Sequence, residues 1–156
     1  MAGDAPDLGR QAGRFDPPDA DGFRLLRAEE DRFHHVYGPV AVRAEGDRAR
    51  CRMAPGRRHS NPFGAIHGGF LTAFADLSLF LGPAILGRLA LGPAVTLALN
   101  TQFIQPGRLG EPLDAVLTVT GETGKLLFVR GQMEQGADVI ATFDGTLRKL
   151  PGASDR

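Results

Sequence analysis

The chain has 156 residues, with 18 Lys plus Arg against 18 Asp plus Glu and a formal net charge of zero: one ordinary domain that can bury a core without staples, with no long-range field favouring nucleic acid or an anionic membrane. Its single cysteine, Cys51, excludes an intramolecular disulfide and any cysteine-based zinc cluster. Residues 1–7 lack the basic-then-apolar pattern of a signal peptide, and the most apolar stretch is interrupted by Asp76 and Pro83, so the expectation is a cytoplasmic protein without a membrane span.

Residues 1–22, rich in Gly, Pro, Asp and Ala, read as a mobile or loosely docked extension, ahead of a domain over 23–150 and a tail over 151–156. Phe23 to Phe33 is polar-rich and suits a short, half-exposed helix. Val36, Val40 and Val42 share one parity interrupted by Gly38-Pro39, which predicts an edge strand with an irregular start. A second short strand follows over 48–53, turned at Glu45-Gly46-Asp47. Ala54–Ala65 has no periodicity and much Pro, Gly, Arg and Asn, and reads as a loop.

A helix then begins near His67. Phe70, Leu71, Phe74, Leu77, Ser78 and Leu81 fall on one stripe at three- and four-residue spacing, and the face carrying Gly69, Ala73, Asp76 and Phe80 is also largely apolar. A helix apolar most of the way round is one that gets buried. Gly82 and Pro83 kink or end its second half. Four strand-like segments follow, 94–104, 113–121, 126–135 and 139–150, separated by turn residues such as Gln105-Pro106-Gly107 and Gln135-Gly136-Ala137-Asp138. Short turns between consecutive strands mean antiparallel pairing. The expected fold is α+β, an antiparallel sheet wrapped round one central helix.

Between Arg58 and Arg88 the only formally charged side chain is Asp76, and an ionised carboxylate among Phe and Leu is costly unless something pairs with it or uses it. At the start of the same helix, the amides of Gly68 and Gly69 lie among the unpaired first donors, with the positive end of the helix dipole behind them. Glycine lets a ligand oxygen come close, and such a site suits an oxygen that gains negative charge, the oxyanion-hole arrangement. Asp76 lies eight residues beyond Gly68, about 12 Å along the axis at 1.5 Å per residue. If both serve one reacting centre, Asp76 comes from another copy of the helix running antiparallel, which predicts a homodimer with shared sites. Taken singly, each feature has a plainer reading. Asp76 fits a solvent strip or a hydrogen bond to a neighbouring strand, the glycines fit close helix packing, His67 fits a satisfied helix-start histidine, and Asn61 fits a turn. His34, His35 and His59 are left structural. No phosphate loop or nucleophile elbow occurs.

Together, Asn61-x-x-Gly64-x-x-His67-Gly68-Gly69 followed by Asp76 resembles the signature of the hotdog-fold acyl-CoA thioesterases of the phenylacetate-pathway (PaaI-like) type, and Asn100–Glu111 resembles the strand and turn that follow the helix in that family. The likeness runs from about Val36 to Leu150. It implies a hotdog fold, dimers or dimers of dimers with sites at the subunit interface, an acyl-CoA substrate, and no cofactor beyond the coenzyme A of that substrate. By this resemblance Asp76 is the catalytic carboxylate, the Gly68 amide polarises the thioester carbonyl, His67 contacts the thioester region, and Asn61 helps place the attacking water. Thr96 matches the Ser or Thr that supports the nucleophile. Gly64, Gly69, Phe70 and Phe74 fall to substrate binding, and Arg57 or Arg58 to the coenzyme phosphates. Two alternatives differ in class: a hydratase or dehydratase on the same fold, and a non-catalytic acyl-CoA-binding or regulatory protein.

Overall fold

The computed structural model describes residues 14–27, 32–89 and 94–151. Period-2 alternation after the helix produces four long strands, β5 (Ala94–Phe103), β6 (Leu113–Glu122), β7 (Leu126–Gln135) and β8 (Asp138–Lys149). They follow β1 (Arg14–Phe15), β2 (Arg24–Arg27), β3 (Ala41–Glu45), β4 (Arg48–Met53) and the helix α1 (Gly68–Ile85). All pairings are antiparallel, and the eight strands run in the order β1-β2-β3-β4-β6-β7-β8-β5. The strand that follows the helix crosses to the far edge and pairs with β8 alone among the described strands.

Helix α1 lies on the inner face of this sheet. By length and composition it could cross a membrane, but its apolar side chains are directed into the sheet: Phe74, Ala75 and Leu79 are fully buried among Met53, Leu117, Val129 and Leu147. Close approach depends on two glycines. A Cβ on Gly82 would lie 2.3 Å from Leu117, and one on Gly145 would lie 2.4 Å from Leu79, so helix and strand each lack a side chain where the other supplies a leucine. Pro83 sits in the last turn, and the helix continues two residues past it to Ile85 before Leu86 closes onto the Gly82 carbonyl at 3.2 Å. The outer face of the sheet carries an ion network instead. Arg50 reaches Glu45, Asp114 and Glu134 at 2.7–2.8 Å, and Arg52 also binds Asp114 at 2.7 Å.

The N-terminal region departs from the expectation. Phe23–Phe33 contains no α-helix among its described residues: Arg24–Arg27 forms β2, paired with β3 through Arg24 with Val42 and Leu25 with Ala41. Pairing wins because Phe23 buries its ring beneath the Arg43 and Arg52 guanidiniums, at 4.4 and 4.8 Å, and a strand lets Leu26 pack on the core while Leu25 faces out. The strand around Val42 is therefore interior, flanked by β2 and β4, and Val36 belongs to a 3-10 turn over Phe33–Tyr37. The extension read over 1–22 includes Arg14–Phe15, paired with Arg27 and Leu26; residues 1–13 and 152–156 lie outside the described residues.

Candidate active site

The loop before α1 is held by its own polar groups. Asn61 Oδ1 accepts from the backbone N–H of Phe63 at 2.9 Å and of Ala65 at 3.1 Å, so its carbonyl side is used in the turn. Its amide nitrogen has no partner among the described residues. Gly64 completes that turn at φ +82°, a left-handed conformation that side chains disfavour. The turn carries Phe63 outward, 94% exposed.

His67 caps the helix. Its Nδ1 accepts from the Gly69 N–H at 2.9 Å, and in the neutral ring this places the proton on Nε2. A Cβ on Gly69 would lie 3.0 Å from that Nδ1, so glycine leaves room for the ring to fold back. The carbonyl of His67 accepts from Phe70 at 2.9 Å and Leu71 at 3.1 Å. Of the helix's first donors, the Gly68 N–H alone is left without a partner among the described residues. Gly68 therefore keeps the free amide at the helix start, while Gly69 is engaged by the cap. Phe103 from β5 covers Gly68, with its ring 3.3 Å from where a Cβ would stand.

Asp76 sits on the half-exposed stripe of α1 and accepts from the Thr96 hydroxyl at 2.7 Å. A β-bulge between Thr96 and Ala98 makes this contact possible. Without the extra residue, Thr96 would point to the opposite face from Leu99, Thr101 and Phe103. Tyr37 approaches the same helix from the other side, donating to the Ala73 carbonyl at 2.9 Å. Burial, and secondarily the charge of Asp76, push the Tyr37 hydroxyl well above the ordinary tyrosine range, so it stays a neutral donor.

Phe70 and Phe74 do not line an opening in the single chain. Phe74 is fully buried and Phe70 is 8% exposed. The Phe70 ring stacks on His59 at 4.1 Å between centroids, and Tyr37 lies against both rings at 5.7 and 6.4 Å. The helical period marks them as apolar-face residues, and their contacts are core contacts. His59 is buried and fully used: Nδ1 accepts from Gly56 at 2.9 Å, Nε2 meets the Val36 carbonyl at 2.7 Å, and its own carbonyl accepts from His67 at 2.8 Å. It fixes the loop to the helix start. Arg57 and Arg58 lie exposed in a 3-10 turn at the loop's beginning. A groove of about 560 Å³ opens on the outer sheet face beside Arg48, Arg130 and Asn100, with no lining residue from α1.

Sequence reasoning missed Tyr37 and Phe103. Tyr37 is the only tyrosine of the chain, which was a usable signal. Phe103 shares parity with Thr101 and Leu99, but its place over Gly68 depends on how β5 crosses the helix.

Comparison with known proteins agrees with this architecture. No curated protein matches the sequence. Among solved structures, a mutant of the phenylacetic acid degradation protein PaaI from Thermus thermophilus superposes with a TM-score of 0.65 at 25% identity, covering 77% of this chain and 100% of that one. The Escherichia coli PaaI protein from the phenylacetic acid degradation operon gives 0.65 at 21% identity, over 79% and 88%. Thioesterase superfamily member 2 from Mus musculus gives 0.64 at 20%, over 74% and 86%. The thioesterase superfamily model matches residues 63–142, more than half of the chain and all of the segment from the Phe63 turn into β8. With its sheet wrapped round α1, and with Gly68 and Asp76 both inside the matched segment, this chain belongs to the thioesterase superfamily as a hotdog-fold member.

Proposed function

We propose that this protein hydrolyses the thioester of an aryl- or fatty acyl-coenzyme A, giving the free acid and coenzyme A, at a site shared by two copies of the chain. The observation that carries the reading is the pairing of one oriented carboxylate with one free amide on the same helix. Asp76 is held by Thr96 at 2.7 Å, and the Gly68 N–H has no partner among the described residues. The eight-residue step from one to the other corresponds to about 12 Å of helix, so the Gly68 of one chain works with the Asp76 of another.

In this reaction the thioester carbonyl oxygen takes the Gly68 N–H hydrogen bond, which strengthens as negative charge develops on that oxygen. Asp76 takes a proton from water as the water oxygen bonds to the carbonyl carbon. Collapse of the tetrahedral oxyanion breaks the carbon–sulfur bond, and the departing thiolate recovers the proton. In the nucleophilic variant, an Asp76 oxygen attacks first and water then opens the anhydride; single turnover in ¹⁸O-water separates the routes, because only the anhydride route carries label into Asp76. Asn61 offers its unspent amide N–H to the attacking water, and His67 offers Nε2–H beside the sulfur.

The edge strand β5 supports the two-chain arrangement. Its outer edge has no partner among the described strands, and Val95 and Leu97 beside it are 42% and 56% exposed, apolar residues suited to a second copy. The two PaaI neighbours are named for phenylacetic acid degradation, which brings aryl acyl groups within the substrate range.

The test is Asp76→Asn, assayed by thiol release over aromatic, short, medium and long acyl-CoAs. Asparagine keeps an oxygen acceptor for Thr96, so the oligomer should elute unchanged while turnover drops by about 10²–10⁴-fold, the usual contribution of a general base. Wild-type turnover in Asp76→Asn rejects the carboxylate role. Hydration of enoyl-CoA without thiol release points to the hydratase class, and binding without either reaction points to a binding protein.

A further inference from the structure

On the outer face of the sheet the strand registers set one row of side chains next to one another: Arg48 on β4, Thr118 on β6, Arg130 on β7, Asp144 on β8 and Asn100 on β5. The next row begins with Arg50 and ends with Thr142 and Gln102. Both rows border the groove of about 560 Å³, a volume within the range of small-molecule sites. Around Arg50 the charges are closed: the guanidiniums of Arg43, Arg50 and Arg52 meet the carboxylates of Glu45, Asp114 and Glu134, three against three. Arg48 and Arg130 are not: neither has an ion pair or hydrogen bond among the described residues. They flank Thr118, one strand to either side, so their Cα atoms stand about 10 Å apart at the usual strand spacing. Two long side chains can meet there at one anion. Asp144, opposite Arg130 in the register, accepts instead from the Asn100 amide at 3.4 Å.

We propose that this groove binds a phosphorylated polyol of the sugar-phosphate class, with the phosphate between Arg48 and Arg130 above Thr118 and the hydroxyls over Asp144, Asn100, Gln102 and Thr142. Two like charges held on one face repel each other, and an anion between them removes that repulsion. Guanidinium forks match phosphate oxygens bidentately, and the Thr118 hydroxyl adds a donor. A bare anion accounts for only half of the lining. Beyond Arg130 the groove offers a carboxylate, which accepts hydrogen bonds and repels a second anion, together with two amides and a hydroxyl, which both donate and accept. Sugar hydroxyls, each a donor and an acceptor, satisfy that mixture. A nucleotide fits less well: the aromatic residue at the groove, Phe143, is buried and leaves no ring for a base to stack on. No residue of α1 lines the groove, so the site is separate from the Asp76 of its own chain and does not depend on thioester hydrolysis.

The experiment is calorimetric titration of the full-length protein, at an ionic strength of about 0.15 M, with glucose 6-phosphate, glucose, inorganic phosphate and adenosine monophosphate. Glucose 6-phosphate should bind at least about 10-fold more tightly than each of the other three, and these affinities are read whether or not the protein hydrolyses thioesters. Arg130→Gln should weaken it by about 10-fold or more, the loss expected for a charge-assisted hydrogen bond, with melting temperature, elution volume and thiol release unchanged. Asp144→Ala separates the two halves of the site: it should weaken glucose 6-phosphate roughly fivefold and bind inorganic phosphate no more weakly than wild type. No measurable binding of glucose 6-phosphate overturns the proposal, and so does equal affinity for inorganic phosphate, which would mean an adventitious ion only. Equal or tighter binding of adenosine monophosphate overturns the sugar-phosphate class. Displacement of glucose 6-phosphate by coenzyme A assigns the groove to the coenzyme and overturns a separate site. An altered elution volume in Arg130→Gln makes the face a contact between copies, which overturns it as well.

Discussion

Removing the Thr96 hydroxyl while keeping its shape is the sharpest perturbation of the Asp76 environment. Thr96→Val replaces Oγ1 with a methyl group and removes the 2.7 Å bond to Asp76 Oδ1. A hydrogen bond to a charged group contributes about 1.5–3 kcal/mol. At about 1.36 kcal/mol per tenfold in rate, that corresponds to roughly a 10- to 150-fold fall in kcat, if the bond serves the transition state in full. In the proposed site the hydroxyl acts by orienting Asp76 rather than by binding substrate, so KM should move less than kcat. The assay is steady-state thiol release at a fixed acyl-CoA, with a melting curve to confirm the fold. An Asp76→Asn background provides the control: with the carboxylate already gone, Thr96→Val should cost little more, because two groups acting through one interaction are not additive. A Thr96→Val enzyme within twofold of wild type would refute the orienting role, and so would a full additional loss in the double variant.

Two further predictions concern the scaffold. Gly145→Ala places a Cβ 2.4 Å from Leu79 Cδ1 and 3.0 Å from the Ala98 carbonyl, an overpacking expected to cost about 1–3 kcal/mol; urea unfolding should show the loss, and an unchanged midpoint would mean that the α1–β8 contact yields freely. Glu45 is held below the ordinary carboxylate range chiefly by the Arg50 hydrogen bond, with Arg43 adding to it. Its folded-state value lies below its unfolded one, so its contribution is present above the unfolded value of about 4.3 and is lost as pH falls through the folded value. Glu45→Gln should therefore lower stability at neutral pH by about 1 kcal/mol, allowing for solvent screening of a partly exposed group, and the gap should close under acid; a constant gap from neutral pH down to about pH 3 would contradict this.

The second half of the fold was legible because its signals are local. Alternation and turn residues such as Gln135-Gly136-Ala137-Asp138 put β5 to β8 within one residue of their observed ends. The N-terminal strands were not legible, because Arg24–Arg27 is four residues long and alternates weakly. Its strand state comes from pairing with β3 and from Phe23 packing under two arginines, both distant in sequence. The same division runs through the candidate site. Asn61, Gly64, His67, Gly68 and Asp76 lie on one loop and one helix, so their spacing already carries geometry. Thr96 came only by resemblance, since its inward orientation depends on the bulge after it, and Phe103 depends on the parity that the bulge restores.

Phe70 and Phe74 show where periodicity stops being informative. A 3.6-residue repeat identifies an apolar face but not what covers it, and in the single chain His59, Tyr37 and the sheet cover it. The rise along a helix differs in kind, because backbone geometry sets it whatever packs outside. Gly68 and Asp76 are both inside α1, which runs unbroken between them, so their separation survives any rearrangement of loops or of β5. A thioester carbonyl held at one cannot reach the other in the same chain. Any chemistry that uses both therefore requires a second helix, and the edge of β5, which has no partner among the described strands and exposes Val95 and Leu97, is the surface proposed to receive the chain that brings it.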